Sequence, residues 1–220
     1  MKLSSCLEAQ TTVERVNKKN NMPRFSIIVG IHNQSATLPM LIDSINKQTF
    51  RDFEVHFCDD GSTDNPKKII LQSIHPSVRF FYHRQENKGM RLAKNINHGI
   101  NAANGEHCLF VMADSMLETD YLELLDKYVA EDRVVCGIRV QLAEVDGKLT
   151  GVDMDWRIKK NLVPEFPTVL VSMPWMSLTG NGLCVPTSAF RQYGGWWERI
   201  EGYGGEDNEL VARLFFKGYL

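Results

Sequence analysis

The amino-acid sequence predicts an α/β fold in which helices cover both faces of a mainly parallel sheet. Two observations carry this prediction. Short apolar runs recur along the chain, and the segments between them place apolar residues at helical spacing. A parallel strand buried on both faces is a nearly continuous apolar run, whereas a covering helix shows an apolar stripe. Strands that alternate with helices are typical of a parallel sheet covered on both faces.

The pattern gives five strands and four helices before any tertiary information is used. The predicted strands are 25–31, 53–58, 78–82, 107–112 and 134–140. The predicted helices are 36–48, 90–103, 120–129 and one that begins near Glu206. Asp146 and Gly147 form a predicted hairpin turn. The stretch 151–175 breaks the rhythm, and excursions of this length are usually functional or disordered.

Composition and charge limit the classes of function. The 220 residues suffice for one domain, which we divide into a polar, flexible leader at 1–23 and a folded domain at 24–220. A formal net charge of −2 argues against nucleic-acid binding. The sequence shows neither a membrane-spanning run of roughly 20 apolar residues nor a signal peptide, so a cytoplasmic setting is expected. The five cysteines contain no C-x-x-C pair, which favours buried free thiols.

Polar side chains follow three of the predicted strands. His32 and Asn33 come after the first, D-D-G-S-T-D at 59–64 after the second, and Asp114 after the fourth. Ligands bind beyond the carboxyl ends of strands in open α/β sheets, so these groups should meet in one crevice. Carboxylates there can accept hydrogen bonds from a base or a ribose, and Gly61 lets a ligand approach the backbone. A turn that only caps the next helix is the alternative.

Acids in two further places have a chemical and a purely structural interpretation. Asp114 can be an oxygen ligand for Mg²⁺ or Mn²⁺ that is held mostly by substrate phosphates, or an ordinary helix N-cap. Glu206 and Asp207 follow flexible glycines at a helix start, where the dipole favours negative charge and where a carboxylate can serve as a general base. Lys88, Arg91 and Lys94 can offset diphosphate charge or belong to a solvated face.

Four segments resemble, in order, the inverting GT-A glycosyltransferases of the family 2 type. They are S-I-I-V-G-I-H-N-Q, D-F-E-V-H-F-C-D-D-G-S-T-D, E-N-K-G-M-R-L-A-K-N-I-N-H-G-I-N-A-A-N-G-E, and T-G-N-G-L-C-V-P-T-S-A-F-R-Q-Y-G-G-W-W-E with G-Y-G-G-E-D-N-E-L-V-A-R-L. The last is similar to the corresponding part of chondroitin-polymerase-like and β-1,4-galactosyltransferase-like enzymes. The resemblance covers 25–220 and implies a GT-A fold, a three-layer α/β/α sandwich around a mainly parallel, mixed sheet.

The resemblance also implies an activity and the partners that go with it. The implied reaction is an inverting, Mn²⁺- or Mg²⁺-dependent transfer of a sugar from a UDP-sugar to a hydroxyl acceptor, such as a growing glycan in polysaccharide biosynthesis. Asp207 matches the catalytic base and Asp114 the metal-binding acid. The residues assigned to the donor nucleotide are His32, Asn33, Asp59, Asp60, Lys88, Gly89 and Lys94. The residues assigned to the acceptor are Gly180, Asn181, Trp196, Gly205 and Glu206.

Three departures from the family pattern keep other interpretations open. Met112 stands where the first acid of the D-x-D motif is expected, and a thioether is no ligand for a hard cation. The chain ends at Leu220, before a downstream His ligand of many relatives, which suggests a C-terminally truncated core. Trp197 replaces an acid, and Trp196 and Trp197 either stack on a sugar or pack under the last helix.

Other classes of function compete with the transferase. A non-catalytic nucleotide- or glycan-binding relative with a degraded metal site is the alternative that the departures favour. A nucleotidyltransferase would carry a Gly-rich basic loop after the first strand, where this chain reads H-N-Q-S-A-T. A dinucleotide-dependent oxidoreductase would show G-x-G-x-x-G at that place.

Overall fold

The computed structural model describes residues 13–15, 22–146, 148–154, 175, 178–200 and 204–219. The strands are β1 (Val13–Arg15), β2 (Phe25–Ile31), β3 (Phe53–Asp59), β4 (Arg79–Arg84), β5 (His107–Met112), β6 (Val135–Cys136), β7 (Val140–Val145), β8 (Lys148–Met154) and β9 (Leu183–Pro186). The helices are α1 (Leu38–Asn46), α2 (Pro66–Ser73), α3 (Leu92–Ala102), α4 (Tyr121–Asp126), α5 (Thr187–Tyr193) and α6 (Glu206–Phe215).

The main sheet has seven strands in the order β1-β4-β3-β2-β5-β9-β6. The four central strands, β4, β3, β2 and β5, are parallel to one another. Antiparallel pairing of β1 with β4, of β9 with β5 and of β6 with β9 makes the sheet mixed. The hairpin of β7 and β8 is a separate two-stranded sheet. The predicted α/β class with a mainly parallel, mixed sheet is therefore confirmed.

Two hydrophobic clusters, one on each face of the sheet, create the three layers. Successive residues of β2 point to opposite faces, so that Ile27 belongs to one cluster and Ile28 to the other. The first cluster contains buried residues of α1, α2 and α4. The second contains buried residues of α3, α5 and α6. Every residue of β2 and of β3 is buried, which explains the nearly continuous apolar run of β2; in β3 the buried residues include Glu54, His56 and Asp59.

Several predicted boundaries differ from the observed ones. Val13–Arg15 lies in the segment predicted to be a flexible leader, and its backbone pairs with β4. Helix α2 was not predicted, because only Pro66 and Ile70 of its eight residues are buried and its apolar stripe is short. The predicted strand 134–140 divides into β6 and the start of β7. The hairpin turn at Asp146 is confirmed by the pairing of Val145 with Lys148.

Two further sequence predictions concern thiols and membranes. Cys58, Cys108 and Cys184 are free and buried, as predicted, and burial raises the pKa of each thiol. No helix in the described part of the chain combines the length and apolarity needed to cross a membrane. The predicted irregular stretch 151–175 lies mostly outside the described residues, apart from the end of β8 and Trp175.

Helix α3 packs so closely on the sheet that one of its positions accepts no side chain. A Cβ at Gly99 would lie 2.6 Å from the Sγ of Cys58 and 2.9 Å from the Cγ2 of Ile28. We expect Gly99→Ala to lower the free energy of unfolding by about 1–2 kcal/mol, because an overpacking cost of about 2–3 kcal/mol outweighs the roughly 1 kcal/mol gained in helix propensity. Denaturant unfolding checks this, with Asn101→Ala on the exposed side of α3 as the control. A Gly99→Ala protein as stable as the wild type would contradict the packing described.

Candidate active site

The carboxyl ends of the parallel strands lie side by side at one edge of the sheet. Ile31, the last residue of β2, pairs with Asp59 of β3, and Asp59 pairs with Arg84 of β4. On the other side of β2, Gly30 pairs with Met112 at the end of β5. The polar segments that follow these strands therefore meet at one edge, as the strand pattern predicts.

Asp59 is a fully buried carboxylate with three hydrogen-bond donors. Its Oδ2 accepts from the Tyr82 hydroxyl and from Arg84 Nη1 at 2.6 Å, and its Oδ1 accepts from the Ser62 N–H at 2.7 Å. Burial and the bond to Asp59 raise the pKa of Tyr82, so its hydroxyl remains a donor. The Arg84 side chain is 45% exposed and Asp59 is not exposed at all. A ligand therefore meets Arg84 before it meets the carboxylate.

The loop after β2 is joined to the acidic turn by backbone and side-chain hydrogen bonds. The Asn33 N–H donates to Ser62 Oγ at 3.0 Å, and Asn33 Oδ1 accepts from the Thr63 N–H at 2.8 Å. His32 Nδ1 lies 2.8 Å from the backbone oxygen of Asp60. Both His32 and Asn33 are exposed. Ser62 thus binds the neighbouring loop, and α2 has no side-chain cap, so the alternative of a purely helix-capping turn is wrong.

The basic residues predicted for the donor lie on the segment between β4 and α3 and on α3 itself. Lys88 and Gly89 are exposed, and the Lys88 ammonium lies 2.8 Å from the Glu86 carboxylate. Gly89 has a φ of +84°, with open space where a Cβ would point. Lys94 is partly buried on α3. The Lys88 ammonium is already paired with Glu86, so a diphosphate that binds Lys88 would compete with the Glu86 carboxylate.

Asp114 lies in the turn that ends β5, and its side chain is exposed. The turn closes with a hydrogen bond from the Ser115 N–H to the Met112 oxygen at 3.0 Å. Asn181 holds both ends of the turn: its Oδ1 accepts from the Met112 N–H at 3.1 Å, and its Nδ2 donates to Ser115 Oγ at 2.8 Å. The side chain of Asn181, predicted to line the acceptor site, is therefore used to fix the turn that carries Asp114.

The neighbouring residue, Gly180, connects this turn to the start of α6. Its N–H donates to Asp207 Oδ2 at 3.0 Å, and the Asn208 N–H donates to Asp207 Oδ1 at 2.8 Å. Gly205 is the N-cap of α6 with a φ of +92°, a backbone conformation that favours glycine. Gly180 therefore binds the Asp207 carboxylate at the start of α6, and Asn181 binds the turn that carries Asp114 at the end of β5.

Trp196 packs in the core behind Gly180. The side chain is 4% exposed, and its ring stands edge-to-face on Phe110 with centroids 5.3 Å apart. A Cβ at Gly180 would lie 2.7 Å from Trp196 Cη2. The sequence left open whether Trp196 stacks on a sugar or packs in the protein. The structure shows that it packs in the core, where its ring faces are not exposed to a sugar. Trp197, by contrast, is 51% exposed.

Glu206 is partly buried in the first turn of α6. Its Oε2 is buried, with no hydrogen-bond partner among the described residues. Buried polar atoms are nearly always paired, so an unpaired one beside a candidate site suggests a ligand group or water. Glu206 Oε2 is therefore a carboxylate oxygen whose hydrogen-bonding capacity is unused by the described residues.

Sequence reasoning did not select Tyr82, Arg84 or Asn97. Tyr82 and Arg84 bind Asp59, and the end of β4 carries the same strand-end signal that selected the other polar residues. Asn97 holds the loop that carries Trp196, since its Oδ1 accepts from the Trp196 N–H and its Nδ2 donates to the Trp196 oxygen, both at 2.8 Å. It lies mid-helix, where the sequence gives no sign of a partner about a hundred residues away.

The residues at this edge fit a cation that is bound chiefly through a substrate. The described residues contain no group of three or more His, Cys, Asp or Glu side chains able to hold a metal. At this edge Asp114 offers an exposed carboxylate, for which the described part of the chain shows no hydrogen-bond or ion-pair partner. Mg²⁺ is usually bound by one or two carboxylates plus substrate phosphates and water, so one such acid is compatible with it.

The mixed three-layer domain, with acids at its strand ends and at the start of a later helix, agrees with the GT-A class that the sequence predicts. Within that class, the chain belongs to glycosyl transferase family 2, whose sequence profile matches residues 26–174. A second profile, described as the N-terminal domain of galactosyltransferase, matches residues 162–220.

Among curated relatives, the chain is 34% identical over 108 residues to the glycosyltransferase GlyA of Streptococcus pneumoniae serotype 4, covering 49% of this chain and 15% of GlyA. It is 26% identical over 225 residues to validoxylamine A glucosyltransferase of Streptomyces hygroscopicus subsp. jinggangensis, covering 90% of this chain and 53% of the relative. The chain thus spans about half, or less, of the length of these relatives.

Solved structures share the fold. The complex of TarS from S. aureus (residues 1 to 349) with UDP superposes with a TM-score of 0.65 at 23% identity, covering 89% of this chain and 55% of that one. A mannosyltransferase from Pyrobaculum calidifontis, in complex with GDP-Man and Mn²⁺, gives 0.66 at 20% identity, covering 91% and 54%. These likenesses confirm the predicted GT-A fold.

Proposed function

We propose that this chain binds a UDP-sugar and transfers the sugar, with inversion, to a hydroxyl acceptor such as a growing glycan. One observation carries the proposal. The turn at Gly180 and Asn181 binds the Asp207 carboxylate with one residue and the turn that carries Asp114 with the next. The turn that carries the proposed donor-side acid and the carboxylate of the candidate base are thus hydrogen-bonded to two adjacent residues. The family match and the nucleotide-bound structural neighbours support the same activity.

On the donor side, Arg84 and Asp59 are positioned to receive the base. Asp59 lies beneath Arg84, so a uracil reaches the carboxylate by displacing that guanidinium or binds beside it. His32 and Asn33 are exposed next to the acidic turn and would form the floor of the nucleotide site. Lys88, Gly89 and Lys94 would bind the diphosphate, whose charge favours a neighbouring ammonium.

On the acceptor side, Asp207 would accept the proton of the attacking hydroxyl. The acceptor O–H bond breaks as the oxygen bonds to the anomeric carbon, and the bond from that carbon to the diphosphate oxygen breaks on the opposite face. Two backbone N–H groups hold the carboxylate oxygens, so the base is positioned without side-chain rearrangement. Glu206, whose Oε2 has no hydrogen-bond partner among the described residues, would bind an acceptor hydroxyl beside it.

A divalent cation, Mn²⁺ or Mg²⁺, would be held by Asp114 together with the donor phosphates. When bound, such an ion neutralises the charge of the departing diphosphate. The Mn²⁺ in the complex of the P. calidifontis mannosyltransferase supports a divalent cation in this fold.

A second candidate, a binding protein without turnover, is favoured by Met112. This residue stands in place of an acid at the end of β5, and its N–H is held by Asn181. The site then has one hard oxygen ligand on this turn instead of two.

The acceptor and the cytoplasmic setting remain predictions from sequence, as does the division into a leader and a folded domain.

Calorimetry of UDP with and without Mn²⁺ tests the donor site. We expect Mn²⁺ to tighten UDP binding by about tenfold or more in the wild type, and we expect Asp114→Ala to remove that gain, because the carboxylate completes the coordination of a phosphate-held ion. Asp132→Ala, an exposed acid away from the strand ends, is the control. UDP binding that is indifferent to Mn²⁺ and to Asp114 would leave a metal-independent or non-catalytic protein as the better interpretation.

A further inference from the structure

The second acid of the turn at 59–64 has different partners from the first. The Asp60 side chain is 4% exposed, and both of its oxygens accept hydrogen bonds. Its Oδ1 accepts from Gln85 Nε2 at 2.6 Å, and its Oδ2 accepts from the backbone N–H of Arg91 at 2.9 Å. Both donors come from the segment that joins β4 to α3. Among the described residues, the Asp60 carboxylate is thus bound by the two ends of that segment.

These two bonds close the base of a short exposed loop, which we call the 86–90 loop after its residues. Gln85 and Arg91 flank the loop and are also bonded to each other, with Gln85 Nε2 donating to the Arg91 oxygen at 3.3 Å. All five residues between them are exposed, including Lys88 and Gly89. The carboxylate of Asp60 therefore joins the two ends of the loop from beneath.

Close packing of the acidic turn against the same loop adds a second constraint. Gly61 has a φ of +69°, and a Cβ there would lie 2.7 Å from the Cα of Asn87. Any side chain at position 61 would push the loop away, so the glycine lets the two segments touch. The position of the 86–90 loop relative to the strand ends is thus set by the residues directly after Asp59.

We propose that Asp60 is a positioning residue, which places Lys88 and Gly89 at the donor diphosphate through the 86–90 loop and does not contact the nucleotide. This inference rests on the proposed function for the identity of the ligand. It also assigns different tasks to two adjacent acids. Asp59 and Arg84 belong to the base side of the nucleotide, whereas Asp60 acts on the diphosphate side through the loop.

The test compares UDP with UMP, because the loop is proposed to act on the diphosphate. We expect Asp60→Ala to weaken UDP binding by about tenfold or more and UMP binding by less than about threefold, measured by calorimetry. We expect Asp60→Asn to stay within about threefold of the wild type for both ligands. An asparagine keeps an oxygen for the Arg91 N–H, and its amide can donate to Gln85 Oε1, which is buried without a partner among the described residues.

Hydrogen exchange of the amides at 86–91 reads the loop without any ligand. Faster exchange at Arg91 in Asp60→Ala, with near-wild-type exchange in Asp60→Asn, supports positioning. Equal weakening of UDP and UMP by both variants overturns the proposal, because it indicates direct contact with the nucleotide. A wild type that binds no UDP contradicts the proposed function, and the exchange rates still decide whether Asp60 holds the loop. Gln85→Ala provides a second route to an open loop if Asp60→Ala does not fold.

Discussion

Replacing Asp207 with asparagine is expected to lower kcat by roughly 10²–10⁴-fold, because a neutral amide cannot accept the acceptor proton in the transition state. The affinity for UDP is expected to stay within about twofold, since we propose that Asp207 acts on the acceptor and it is not among the proposed donor residues. Steady-state kinetics on an accepted UDP-sugar, combined with UDP calorimetry, measures both quantities. The expected pattern is therefore a loss in kcat that binding does not share.

Asparagine at this position also has a structural cost that has to be separated from the chemical one. Each carboxylate oxygen of Asp207 accepts a backbone N–H, one from Gly180 and one from Asn208. The asparagine NH₂ must face one of these donors, so one hydrogen bond is lost at a cost of about 1 kcal/mol in unfolding free energy. That is far too little to unfold a typical domain. Denaturant unfolding of the variant provides this correction.

Glu206→Gln is the matched comparison, one residue earlier in the same helical turn. We propose that Glu206 Oε2 binds the acceptor. Glu206→Gln is therefore expected to raise the acceptor KM by a few-fold to tenfold and to leave kcat largely intact. Two neighbouring acids then give different kinetic signatures. Near-wild-type turnover by Asp207→Asn, with the correct linkage in the product, would remove Asp207 from the role of base.

The strand ends show what sequence reasoning can recover of such a site. A polar residue directly after a buried strand has few places to go, because parallel strands deliver their carboxyl ends to one edge. His32, Asn33, Asp59 and Asp114 were predicted in this way, and the register of β2, β3 and β5 brings their segments together. The same argument applies to Arg84, which ends β4 and pairs with Asp59.

Long-range partners are the part that the sequence does not reveal. Asp59 and Asp60 look alike in D-D-G-S-T-D, yet one binds Arg84 and the other closes the 86–90 loop. Hydrophobic periodicity reports burial but not which polar groups meet once a side chain is buried. Trp196 shows the same limit, because an aromatic residue near glycines can stack on a sugar or pack on Phe110, and only the fold decides.

Glu54, His56 and His83 form a row of polar side chains on the face of the sheet covered by α3, and the sequence does not reveal that they are partners. His56 Nε2 lies 3.0 Å from Glu54 Oε1, and His56 Nδ1 lies 3.0 Å from His83 Nε2. Burial alone would raise the pKa of Glu54, but hydrogen bonds from His56 and from the Asn104 N–H bring it below its usual range. Burial, and then the neighbouring His56 and His98, lower the pKa of His83 from 6.5 to about 4.

Acid is therefore expected to destabilise the fold through His83. Its folded pKa lies below its unfolded one, so the unfolded chain binds the extra proton between these values. The stability that neutral His83 contributes is complete above about pH 6.5 and is lost as the pH falls through about 4, up to about 3 kcal/mol in unfolding free energy. Urea unfolding at several pH values from 7.5 to about 4.5 measures this, and His83→Gln is expected to flatten the profile above about pH 5.

The lowered pKa of Glu54 adds a loss of stability in acid that the wild type and His83→Gln share. His75→Gln, which changes an exposed histidine, should leave the slope as in the wild type. Parallel profiles for the wild type and His83→Gln would mean that His83 is protonated in the folded protein as easily as in the unfolded chain.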